Sequence, residues 1–228
     1  MSDQETAALA KTEGVRRKRF IDEVRTKIPG ITPELCLFTP TEVRDAFTGN
    51  PEVRSWHHWV AEEYSPPKKE VALLFPDTDR KPWTKGKTTD HTYKNLYIAL
   101  KSLNLEKRVH VLTVSTVLGI VPEERFEDMP LYDSSGMFSW SVRQKGLDWD
   151  AMVFKEVLMD LGTLVSGFVQ KNKDNYSKWV AVYRTPSVHE RIIEYAYDLS
   201  PFKLEQMKTK KPLSSQYSIL KDMLKKIV

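Results

Sequence analysis

A chain of 228 residues, 40% apolar and 29% charged, holds enough material for one sizeable core with no disulfide or metal staple. Its lone cysteine, Cys36, excludes an internal disulfide framework and a cysteine-rich zinc site. No apolar run is long enough to cross a membrane and the N-terminus is polar without a signal-peptide core, so a cytoplasmic, non-membrane protein is expected. A formal charge of +4 admits nucleic-acid contact without requiring it.

The first twelve residues are small and polar, and are expected to fray. Gly14 to Ile28 reads as a basic helix with Phe20, Val24 and Ile28 on one stripe. Pro29-Gly30 breaks it, and a short helical stretch follows around Thr41 to Phe47. Asn50 then caps a helix that has Pro51 at its first position, with Val53, Trp56, Val60 and Tyr64 on one face. Glu70 to Phe75 (EVALLF) has the continuous apolar pattern of a strand buried on both faces. A helix is predicted over Thr88 to Asn104, a strand over Val109 to Val114, and a long helix over Asp148 to Lys171. A third strand, Lys178 to Tyr183, precedes a helix over Pro186 to Leu199, and an amphipathic helix carrying Leu220, Met223, Leu224 and Ile227 closes the chain. The Lys-rich tail before it reads as a solvated face or a phosphate grip.

Strands alternating with helical crossovers predict an α/β fold, a three-layer α/β/α sandwich with a mainly parallel sheet and a small helical region ahead of it. The boundaries expected are a helical N-terminal extension over 1–49, the α/β core over 50–200 and a basic tail with a helix over 201–228. Ligands of such sheets sit beyond the carboxyl ends of the strands. Two loops emerge there. The first, after EVALLF, carries Asp77, Asp79, Arg80, Lys81 and Trp83. Its carboxylates could hydrogen-bond a base edge or place an amine, and its indole could stack on a base. The plainer alternative is a solvated turn with Asp77 as a cap and Lys81 in surface pairs. The second, Ser115 to Leu147, is too long for a mere connection. Gly119 follows the strand where backbone amides could approach a ligand, and Tyr132-Asp133-Ser134-Ser135-Gly136 forms a turn in which Asp133, among aromatic residues, could read the N–H edge of a guanine-like base. An Asx-turn packed on those aromatics is the equal alternative.

Other signatures are missing. His57-His58 lies on a helix where neighbours face apart, and His91, His110 and His189 show no metal-ligand spacing. No phosphate loop, dinucleotide fingerprint or nucleophile elbow occurs, so neither metal nor cofactor is expected. Cys36 lies outside both loops and reads as a buried apolar residue.

Asn50-Pro51-Glu52-Val53-Arg54, Trp59, Tyr64, Pro66-Pro67, VALLFP and Lys81-Pro82-Trp83 stand in a telling order. Val109-His110, Leu118-Gly119-Ile120-Val121-Pro122-Glu123, Tyr132-Asp133 and Gly136 continue it. Over roughly Asn50 to Leu199 the chain resembles the archaeosine synthase core-domain family of archaea. The resemblance implies a fold of the uracil-DNA glycosylase type and an enzyme that adds an amine, such as lysine, to the nitrile of 7-cyano-7-deazaguanine in tRNA or, less conventionally, DNA. Carried onto this sequence, it makes Lys81, Asp77 and Asp133 the candidate catalytic residues, with Trp83, Gly119, Tyr132 and Gly136 around the base. It also implies a partner subunit that supplies RNA binding or a second reaction step. The family's Pro-Cys, Lys-Pro-Tyr, Ser and His pattern is altered: Asp77 stands for the cysteine, Trp83 for the tyrosine, Gly86 for the serine, and His91 lies two residues too far along. An aspartate cannot form a thioimidate, though it can serve as acid or base. A non-catalytic nucleic-acid-binding or assembly subunit is the second function class.

Overall fold

The computed structural model describes residues 3–227, with side chains of the first helix from Gly14 onward. Helix α1 (Asp3–Lys27) begins ahead of the predicted Gly14, so residues 3–12 are helical where fraying is expected, and residues 1–2 lie outside the described residues. Phe20, Val24 and Ile28 anchor it to the core, as their spacing predicts. Helix α2 (Pro40–Gly49) starts with a capping box in which Thr39 and Glu42 bond reciprocally, and α3 (Pro51–His58) is capped by Asn50 and runs into a π-turn over Trp59–Glu63.

The core strands are β1 (Val71–Pro76), β2 (Val109–Ser115) and β4 (Lys178–Arg184), joined through α4 (His91–Ser102) and α6 (Ala151–Asn172). Two strands escaped the sequence reading. Gly119–Pro122 (β3), within the supposed long loop, turns back antiparallel onto β2; Leu204–Thr209 (β5), within the supposed tail, pairs parallel with β4. The sheet order is β3-β2-β1-β4-β5, parallel except for β3. Short α5 (Ser139–Gln144) closes the loop, while α7 (Val188–Leu199) and α8 (Tyr217–Lys225) complete the helices.

Connection rules place the layers. The chain steps from β1 to β2 in one direction, then from β2 back across β1 to β4 and on to β5. Right-handed crossovers then put α4 on one face and α6 with α7 on the other. α6 packs on α7 and α4 on α8, giving the expected three-layer α/β/α architecture. β1 and β4 are neighbours whose onward connections leave in opposite directions. The crevice beyond their carboxyl ends is therefore the topological switch point, where open α/β sheets bind ligands.

The N-terminal segment belongs to the same packing. Phe20, Ile28, Leu35 and Phe38 join the hydrophobic core formed by the strands. Cys36 forms a parallel bridge with Asp133, Leu37 N–H donates to the Asp133 carbonyl at 3.1 Å, and Gly136 N–H donates to the Leu37 carbonyl at 2.8 Å. No described helix is long and apolar enough to cross a membrane.

Candidate active site

Asp77 is the first residue after β1, and its backbone N–H continues the ladder to the Val114 carbonyl. The strand thus delivers a carboxylate to the switch point at 7% exposure. Such burial is tolerated only with hydrogen-bonded partners. Oδ2 accepts from the Thr116 N–H (3.0 Å), the Thr116 hydroxyl (2.7 Å) and the Tyr132 hydroxyl (2.6 Å). Oδ1 lies 2.7 Å from His189 Nε2. Burial pushes the carboxyl pKa up, but the His189 bond, the Lys81 charge and the Thr116 amide outweigh it and hold Asp77 well below the usual carboxylate range. Asp77 is therefore an anion at neutral pH.

His189 comes from the opposite side of the switch point. β4 ends at Arg184, and Ser187 caps α7 by accepting from the Glu190 N–H, which sets His189 in the first turn. An ionised Asp77 has no proton to give, so Nε2 carries the hydrogen and donates. Nδ1 makes no hydrogen bond among the described residues and stays open to the cleft.

This pair forms the floor of a cleft of about 1080 Å³. Phe138, Trp140, Trp149 and Phe154 give it an aromatic wall, and Trp140 is 64% exposed. Lys145, Arg184 and Arg191 stand on its rim.

Of the predicted catalytic residues, the fold brings Asp77 and Asp133 to the cleft. Asp133 closes the Asx-turn, its Oδ2 accepting from the Ser135 N–H at 3.1 Å, while lining the cleft. Lys81 is not among the lining residues. It is 4% exposed, donates to the Thr78 carbonyl at 2.7 Å and sits 4.2 Å from the Tyr132 ring centre. Burial draws its pKa below the ordinary lysine value, against the pull of Asp77, Asp133, Asp79 and Asp90. Lys81 is thus buried, not in a surface pair, and does not line the cleft.

The four predicted base-binding residues do not line the cleft. Trp83 is fully buried, stacked on Tyr93 at 5.2 Å, edge-on to Phe126 and bonded through Nε1 to Thr78. With its faces covered it is core. Tyr132 is fully buried too; its hydroxyl accepts from Ser115 (2.6 Å) and donates to Asp77. Gly119, at φ +72, turns the β2–β3 hairpin tight against Leu164 of α6. Gly136 lies so close to the Thr39 backbone that a Cβ would come within 2.5 Å of its carbonyl oxygen, so the glycine serves chain docking.

His189 is the residue that motif reading missed, because nothing local ties it to Asp77. Thr116 and Ser134, whose hydroxyls lie 2.7 Å apart, were also missed. Cys36 is fully buried, and its thiol is pushed up to about 11 by burial and by Asp133, as expected for an inert core residue.

Over 100 residues the chain is 33% identical to "Archaeosine synthase subunit alpha" of Thermococcus kodakarensis, a match spanning 43% of this chain and 17% of that protein. The chain thus matches less than a fifth of the curated relative's length. The crystal structure of AF0587, a protein of unknown function, is similar at a TM-score of 0.47 and 19% identity, covering 75% of this chain and 48% of that one. Residues 53–208, from α3 through β5 and including Asp77, Asp133 and His189, match the family model described as "Domain of unknown function (DUF5591)", and the chain belongs to that family.

Proposed function

We propose that this protein takes part in tRNA modification and that its cleft receives a 7-cyano-7-deazaguanine base, adding a primary amine such as lysine across the nitrile. The similarity to an archaeosine synthase subunit supports this substrate class. The observation that carries the site is Asp77, held as an anion against His189 at the switch point and opening onto a cleft of nucleotide size. In this reading the exposed indole of Trp140 stacks on the base, Asp133 accepts from its N–H edge, and Lys145, Arg184 and Arg191 meet flanking phosphates. DNA carrying the same base would satisfy these groups equally.

Burial of Lys81 favours an external amine over one supplied by the chain, and Asp77 in place of the family's cysteine favours direct addition without a thioimidate. A partner subunit supplying further RNA contacts or a second reaction step belongs to the proposal. So does a non-catalytic alternative, favoured by the absence of that cysteine, in which the cleft only binds.

The test is a nucleoside mass measurement on nitrile-bearing tRNA incubated with protein and lysine. The proposal expects a mass gain equal to the amine with the wild type and none with Asp77→Asn. Binding of the tRNA without any mass gain would establish the non-catalytic reading instead.

A further inference from the structure

We propose that His189 is the acid–base residue of this cleft, taking a proton from the incoming ammonium through Nδ1 and returning it to the nitrile nitrogen. The assignment rests on the proposed amine addition and identifies the group that moves the proton. An amine in water at neutral pH is largely a cation without a lone pair, so attack on a nitrile first requires a base. The nitrile nitrogen then gathers negative charge and requires a donor.

The described groups on the cleft floor leave few choices. Asp77 is surrounded: three donors occupy Oδ2, and His189 holds Oδ1. Lys81 is turned away into its bond with Thr78. Asp133 is engaged by the Ser135 N–H. His189 alone among these has one ring nitrogen fixed by a buried carboxylate and the other open to the cleft. The Asp77 bond fixes the tautomer with hydrogen on Nε2, leaving the Nδ1 lone pair as acceptor.

The step balances without a further reagent. Nδ1 removes one proton from the ammonium; the freed lone pair forms the C–N bond as one nitrile π bond breaks onto nitrogen. The imidazolium then gives its Nδ1 proton to that nitrogen. The second ammonium proton passes from the new C–N nitrogen during relaxation to the amidinium, so the product contains every atom of nitrile and ammonium, and His189 returns to its starting state.

Four measurements test this. Replacing His189 with alanine opens space beside Asp77, and turnover on nitrile-bearing tRNA is expected to fall about 10²–10⁴-fold with tRNA affinity unchanged. Added imidazole is expected to restore part of the loss, which a merely structural defect would not permit. His189→Gln keeps an N–H donor toward Asp77, so it should fold as wild type yet remain inactive and unrescued. Separately, ¹⁵N imidazole spectra of the free protein should show His189 with hydrogen on Nε2 only. Wild-type turnover in His189→Ala, no imidazole rescue, or a hydrogen on Nδ1 in the neutral ring would each overturn the assignment while the proposed reaction stands. If wild-type protein adds no amine at all, the reaction falls, and this assignment with it.

Discussion

Two histidine–carboxylate pairs sit at opposite ends of the same sheet. At the carboxyl ends of the strands, His189 bonds Asp77 through one nitrogen and keeps the other free at a cleft. Near the start of β2, His110 is fully buried with both nitrogens engaged, Nδ1 to the Tyr176 hydroxyl at 2.6 Å and Nε2 to Glu124 at 2.9 Å. Glu124 also accepts from the Tyr64 hydroxyl. The two pairs are alike in chemistry and unlike in what remains unsatisfied. A closed network spends its polar capacity on the fold; a pair with one nitrogen open to a cleft keeps capacity for a ligand.

The largest expected effect separates them at once. Asp77→Ala strands His189, Thr116 and Tyr132 in a buried site, and should abolish amine transfer while lowering unfolding free energy by about 3–5 kcal/mol. Denaturant titration beside the nucleoside assay measures both. At the other end, His110→Ala leaves a cavity and unpaired groups on Tyr176 and Glu124, a cost of about 2–4 kcal/mol. Turnover per folded molecule should nonetheless stay within about twofold, since no atom of that network faces the cleft.

The sequence made half of this contrast legible. A buried apolar run ending in Pro76-Asp77 marks a strand delivering a carboxylate, and Asp77 lines the cleft. Its partner lies 112 residues away, and only the parallel pairing of β1 with β4 brings the two together. The edge strands hid for physical reasons. β3 spans only Gly119–Pro122, and β5 (LEQMKT) has only Leu204 and Met207 apolar among polar residues, which reads as a polar tail. Trp83 misled because an indole in a charged loop looks like a stacking platform, whereas Tyr93 and Phe126 offered it a dry pocket. The exposed indole that does line the cleft, Trp140, sits on a short helix within the stretch read as loop.

Trp140 sharpens the contrast on the ligand side. Trp140→Ala should weaken binding of nitrile-bearing tRNA by about 1–3 kcal/mol, the usual worth of one base–aromatic stack, with little change in thermal stability. Equal loss against unmodified tRNA would mean that the indole meets a neighbouring base instead of the target.

Acid should expose the smallest difference. Asp77 and Glu124 are both held below their ordinary carboxylate range, Glu124 down to about 2 by bonds from His110 and Tyr64 that outweigh its burial. Depressed folded values mean stabilisation that is complete above the unfolded value, about 4.3 for a glutamate, and that is lost as pH falls toward the folded one. Thermal midpoints should therefore drop steeply below about pH 4, and less steeply in Glu124→Gln. An unchanged acid profile in that variant would mean that the His110 network contributes nothing to the fold.

The most direct measurement places His189→Ala and His110→Ala side by side in one amine-transfer assay, each rate normalised to folded protein. The account predicts a loss of about 100-fold or more in the first and near wild-type turnover in the second. Equal losses, or a larger loss in His110→Ala, would contradict the claim that the switch-point cleft is where the chemistry occurs.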